Sequence, residues 1–97
     1  QTPVRNPAVI FQAVFDDAVL VNADTGVSLV LNPTGVIVWQ SIDGRRGLTE
    51  IVAELMQHYP DAPEANVVQD VAALLETLAE DGFIGYEVLG GPPAGSS

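Results

Sequence analysis

The chain has 97 residues, no cysteine, and 13 Asp plus Glu against 3 Lys plus Arg, a formal net charge of −10. That length allows one domain, and a chain of this size buries roughly 60–65% of its unfolded surface. Without cysteine there are no disulfides or thiolate metal sites. Three arginines and no lysine cannot neutralise a run of phosphates, which counts against nucleic acid and anionic membranes as partners.

Residues 1–8 include Pro3 and Pro7 and read as an extended lead-in. Residues 9–15 are rich in β-branched and aromatic side chains, which suit a pleated surface. Asp16 and Asp17 supply a tight turn into a second strand over 18–22. Residues 23–26 form the next turn, where Gly26 takes φ > 0 without steric cost. A third strand follows over 27–31. Two short turns in succession make an antiparallel meander, with the third strand at one edge.

Helical periodicity takes over at Asn32-Pro33. Asn is a preferred N-cap, and Pro suits the first helical position because its missing N–H has no partner there. Val36, Ile37, Trp39 and Ile42 give this first helix an apolar face, and Asp43-Gly44 ends it with Gly44 in the left-handed C′ conformation. A second helix is predicted over 48–59 from the spacing of Leu48, Ile51, Val52, Leu55 and Tyr59. Pro60 stops it. Asp61 and Glu64 have capping-box spacing, so the third helix is expected over 62–81. Val67, Val71, Leu74 and Leu78 mark its stripe, widened by Val68 and Leu75. Gly82 ends that helix, and Phe83-Ile84 is expected to pack back onto the core. The domain spans 9–86, and 87–97 is a flexible tail, rich in Gly, Pro and Ser from Gly90 on. The predicted class is α+β: a three-stranded antiparallel sheet followed by three helices.

No apolar run approaches the ~20 residues needed to span a bilayer. No basic segment leading into an apolar stretch is visible, so no signal peptide is expected. The lack of cysteine fits a reducing cytoplasm, where the chain is placed. His58, the one histidine, falls at the C-terminus of the second helix, where a cation is favoured. It has neither a nucleophile nor further ligands at a defined spacing, and reads as a surface residue. Asp16, Asp17, Asp24, Glu64, Asp70, Glu76, Glu80 and Asp81 show no acid/base pairing geometry, and read as turn and solvated residues. Trp39 reads as core. Arg45-Arg46 reads as a solvated loop. The chain is therefore not expected to be an enzyme, and no metal or cofactor is implied.

The third strand differs, because its chemistry comes from the backbone. An edge strand carries unpaired N–H and C=O groups, and proteins usually blunt it with charge, proline or a covering element. Residues 27–31 carry no charge and no proline. Such an edge accepts an extended peptide as an added strand, unless the third helix or a dimer partner covers it.

The stretch Val21-Asn22-Ala23-Asp24-Thr25-Gly26, then Leu31-Asn32-Pro33-Thr34-Gly35 with Trp39, then Asp43-Gly44, resembles PqqD-like proteins. Ile51, Leu55, Tyr59, Asp70-Val71, Leu78 and Gly82-Phe83-Ile84 extend the resemblance, which covers residues 9–84. These proteins are the recognition elements of ribosomally made, post-translationally modified peptides (RiPP recognition elements). The Leu-Asn-Pro-Thr-Gly version is most similar to stand-alone leader-binding proteins of lasso-peptide pathways. The resemblance implies a winged helix-turn-helix-like fold in which a precursor leader adds as a strand beside the third strand, against the third helix. Carried onto this chain, the peptide-binding residues are Val27, Ser28, Leu29, Val30 and Leu31 on the strand. On the helix they are Val67, Val68, Val71, Ala72 and Leu75. It also implies a leader carrying Tyr, Pro and an aliphatic residue, handed to a leader peptidase of the cysteine-protease type. Gly47 stands where many relatives have Ser or Thr as N-cap of the second helix, a change that costs a few tenths of a kcal/mol. The alternatives from element order alone are a winged-helix DNA binder, which the charge opposes, and a small dimerisation or scaffold domain.

Overall fold

A computed structural model describes residues 2–87 of the chain. The predicted tail lies outside them beyond residue 87. Eight elements follow in order: β1 (Thr2–Arg5), β2 (Val9–Val14), β3 (Asp17–Asn22), β4 (Ser28–Leu31), α1 (Pro33–Ser41), α2 (Leu48–His58), α3 (Glu64–Glu80) and β5 (Ile84–Glu87). The sheet expected from the meander is present as β2-β3-β4, antiparallel, with β4 at one edge. The three helices follow it, so the fold is α+β as predicted.

The lead-in does more than extend. β1 pairs antiparallel with β5, from Thr2 opposite Glu87 to Arg5 opposite Ile84. Thr2 is buried and its hydroxyl donates to the Gly44 carbonyl at 2.8 Å. The Asn6 backbone N–H donates to the Phe83 carbonyl at 2.9 Å, and its side chain to the Gly82 carbonyl at 3.0 Å. The start of the chain is thereby fastened to the end of α3.

One core unites the inner face of the β2-β3-β4 sheet with the three helices. Leu20, Ile42, Ile51, Leu78 and Phe83 are fully enclosed, and Trp39 is buried as its spacing implied. Each such aliphatic or aromatic side chain contributes about 1.5–3 kcal/mol relative to an exposed one. Phe83 and Ile84 do pack back onto this core.

Local chemistry accounts for most element boundaries. Asn32 caps α1: its side-chain oxygen accepts from the Gly35 N–H at 2.8 Å, and Pro33 fills the first helical position. Gly35 is buried, and a Cβ there would sit 3.2 Å from two Leu31 side-chain carbons, so a larger residue would require Leu31 to give by a few tenths of an ångström where α1 meets β4. Three boundaries differ from expectation. α1 ends at Ser41, with Ile42 as its C-cap, and Gly44 takes its φ of +84° in the following loop rather than at C′. α3 begins at Glu64, without the Asp61–Glu64 capping box, because Pro63 at the N-cap is extended and pushes Ala62 out of the helical region. The first hairpin turns through Phe15 and Asp16, leaving Asp17 in β3, and Phe15 has a φ of +57°.

Asn22 explains the second turn. Its backbone carbonyl accepts from the N–H groups of Thr25 and Gly26, and its side-chain oxygen from Asp24 N–H. Its side-chain amide donates to the carbonyls of Asp81 and Gly82 at 3.2 and 3.1 Å. One buried asparagine shapes the β3–β4 turn and ties it to the end of α3.

Candidate functional site

β4 pairs with β3 on one side and has no strand partner on the other among the described residues. The phase of the ladder follows from one hydrogen bond. Asn22 N–H donates to the Val27 carbonyl at 2.9 Å, and the β3–β4 register continues inward from that pair. Hydrogen-bonded and non-hydrogen-bonded pairs alternate in an antiparallel ladder. The backbone groups of Leu29 and Leu31 therefore serve β3, while those of Ser28 and Val30 point to the open edge.

Across that edge stands α3. Between them lies a groove of about 550 Å³, walled by Val30 and Leu31 on β4, Gly35 and Val38 on α1, and Val71 and Leu74 on α3. Asp17 and Asp70 also line it, both exposed, and neither forms an ion pair among the described residues. The site thus offers open backbone groups on one wall, apolar side chains on the other, and negative charge at its margin. Among the described residues no cluster of three or more His, Asp or Glu side chains could hold a metal ion. Among the same residues no helix is long and apolar enough to cross a membrane.

Residues 17–84 match the family of coenzyme PQQ synthesis protein D (PqqD). The chain belongs to the PqqD family. Two solved structures share the fold. One is TbiB1 in complex with the TbiA(beta) leader peptide, with a TM-score of 0.75 and 24% identity, covering 88% of this chain and 99% of that one. The other is a lasso peptide synthetase B1 complexed with the leader peptide, with a TM-score of 0.74 and 18% identity over the same shares. No curated protein matches the chain in sequence.

In this PqqD-family domain, Val30, Leu31 and Val71 meet in the β4–α3 groove. Val67 lies at its continuation, in a smaller depression of about 180 Å³ with Thr34, Leu55, Tyr59 and Asp70. Val27 precedes β4 and is exposed; Ser28 is exposed and Leu29 half-buried. Val68 is on the surface. The structure sets Ala72 and Leu75 elsewhere, in a depression with Pro3, Leu48 and Tyr86 on the β1–β5 side. Successive helical residues turn by about 100°, which carries Ala72 and Leu75 roughly 100–160° round the axis from Asp70 and Leu74.

The sequence reading missed Asp17 on β3, Asn32, Thr34, Gly35 and Val38 at and within α1, and Asp70 and Leu74 on α3, all of which line the groove. Leu74 was on the apolar stripe, but the stripe alone does not say which flank meets the sheet. Of the other candidates, His58 is exposed at the end of α2 with its ring centroid 6.4 Å from that of Tyr59. Arg5 lies over the Trp39 ring at 5.7 Å. Asp43 accepts from the backbone N–H groups of Arg45 and Arg46 at 2.9 and 3.1 Å. The Arg45 N–H chiefly holds the Asp43 carboxyl below the usual aspartate range, opposed in part by desolvation and reinforced by the N–H and the guanidinium charge of Arg46.

Proposed function

We propose that this domain captures the leader segment of a ribosomally made precursor, of the lasso-peptide class, and presents it to a leader-removing cysteine protease in the cytoplasm. The observation that carries the reading is the open edge of β4 facing an apolar helix wall across a peptide-sized groove. A guest strand takes the free N–H and C=O groups of Ser28 and Val30. That contact is largely indifferent to sequence and supplies general affinity. Alternate guest side chains face α3, where Val71, Leu74 and Val67 receive an aromatic or branched aliphatic residue.

Magnitudes support a usable affinity. Two to four net hydrogen bonds contribute about 0.5–1.5 kcal/mol each. Two or three buried apolar anchors contribute about 1.5–3 kcal/mol apiece. Ordering of the guest and loss of translational freedom oppose them, leaving a Kd of about 10 nM to 10 μM. The domain itself performs no chemistry in this scheme; it raises the concentration of leader at the protease. The two fold neighbours complexed with leader peptides support the same role. Duplex DNA fits less well, since α3 carries no Lys or Arg.

The test is a titration of the isotope-labelled domain with a panel of candidate leaders, the TbiA(beta) leader among them, followed by amide shift mapping. Shifts concentrated on 28–31 and 67–74 are expected. Shifts confined to other surfaces, or none with any leader, would end this reading.

A further inference from the structure

The β2-β3-β4 sheet is apolar on both faces. Its inner face lies on the helices. Residues directly opposite one another in the ladder share a face, so the register places Ile10 with Val21 and Ser28, Gln12 with Val19 and Val30, and Val14 with Asp17 on the outer face. Antiparallel sheets with one solvated face usually alternate apolar-in and polar-out. Here Ile10 is 57% exposed, Val14 45% and Val30 68%, with Phe15 entirely exposed at the hairpin tip beside them. A contiguous apolar patch rimmed by polar residues marks an interaction surface, unlike scattered single residues.

Phe15 sharpens the point. It occupies the first central position of a two-residue hairpin loop at a φ of +57°, a place that favours glycine. A bulky residue there is strained, and its ring gains no burial in return. The fold would be better served by glycine, and the ring, making no use of burial within the chain, is free for a contact outside it.

We propose that this outer face is a second docking surface. Its occupant is the protein that acts on the captured leader, through an apolar patch edged by Lys or Arg. The inference rests on the leader-binding reading above. Continuity argues for that occupant: Val30 belongs both to this face and to the groove. A protein seated on the face therefore lies directly beside the guest strand. Charge argues the same way. Asp16 and Asp17 follow Phe15 and Asp24 sits at the opposite turn, while the three arginines lie elsewhere, one over Trp39 and two between α1 and α2. A second copy would bring the same carboxylates, and another −10 of charge, against them.

The test uses the full chain, the leader it binds best, and the leader-removing cysteine protease of the same organism. Two variants are compared with the unaltered protein: Phe15→Gly, and Phe15→Gly combined with Ile10→Thr and Val14→Thr. None of these positions lines the groove, and Phe15→Gly relieves strain, so both variants remain folded. Leader affinity should stay within about twofold, while protease binding and stimulation of leader cleavage fall by at least about tenfold in the triple variant. Rising salt should weaken protease binding to the unaltered chain. Unchanged protease binding and cleavage in a folded triple variant would overturn the proposal. So would a concentration-dependent dimer of the unaltered chain that the variants abolish, or a parallel loss of leader affinity. Failure of the unaltered chain to bind any leader is a separate result: it removes the leader reading, and the assigned occupant with it.

Discussion

Replacing Val30 by proline isolates the backbone contribution of the β4 edge. The Val30 N–H points away from β3, so proline deletes a donor that β3 does not use, and edge strands tolerate proline there. Leu29, which precedes it, is already extended, as proline requires. A guest carbonyl facing that position loses its partner inside a groove, at a cost of about 1–3 kcal/mol. That is a rise in Kd of roughly 5- to 150-fold. Val30→Thr keeps the N–H and the β-branched shape and exchanges one methyl, so it should weaken binding by about fourfold at most, from about 0.8 kcal/mol. Leu29→Pro is the opposite control: its N–H serves the β3 ladder, and the variant should lose its native circular dichroism. Anisotropy of a labelled leader gives the affinities and thermal melts confirm folding. A folded Val30→Pro domain that binds like Val30→Thr would refute strand addition.

Asn22→Ala removes two side-chain hydrogen bonds to the end of α3 and the acceptor for Asp24 N–H. It should cost about 1–3 kcal/mol and lower Tm by roughly 4–20 °C; an unchanged melt would show that the turn holds without it. Gly35→Ala places a Cβ 3.2 Å from Leu31 carbons and 3.3 Å from the capping oxygen of Asn32. Overpacking of about 1–3 kcal/mol is expected, with weaker leader binding because Leu31 and Gly35 both line the groove; calorimetry and anisotropy read the two effects, and neither moving would contradict the close approach. Asp17→Asn with Asp70→Asn should flatten the salt dependence of binding for leaders bearing Lys or Arg and leave neutral leaders unaffected; equal slopes would remove the electrostatic margin. Asp43 titrates below its ordinary value of 3.8, chiefly because the Arg45 N–H donates to the carboxylate. Its contribution to stability is therefore full above that value and is lost as pH falls through the lowered one; a carboxyl NMR titration at the ordinary value would disprove the cause.

Much of this molecule is written in local signals. The meander shows as β-branched runs broken by turns, and α1 as an Asn-Pro cap followed by Trp39 at core spacing. The features that escaped are those that local patterns do not encode. β1 joins β5 across nearly the whole chain, and Thr2-Pro3-Val4-Arg5 has no alternation to announce it. The start of α3 was misplaced because Asp61 and Glu64 have capping spacing while Pro63, between them, forbids the geometry. The flank of α3 that walls the groove depends on where β1–β5 packs, since that pair takes the Ala72 and Leu75 side and leaves Asp70 and Leu74 to face β4. Without that pairing, the apolar stripe does not separate the flank that lines the groove from the flank that packs beside β1–β5.

An open strand edge without charge or proline is a hazard, because it templates pairing with any other exposed strand. The position of α3 answers that hazard by facing the edge across the groove. A second sheet approaching β4 edge-on would meet Leu74 and Val71 across the groove, with Asp17 and Asp70 at its mouth. A single flexible segment can enter where a folded sheet cannot. The net charge of −10 adds repulsion between copies at any distance within the screening length. Under the proposed reading, the same two features that keep the edge from pairing with itself would favour a slender, extended guest, and one that carries positive charge.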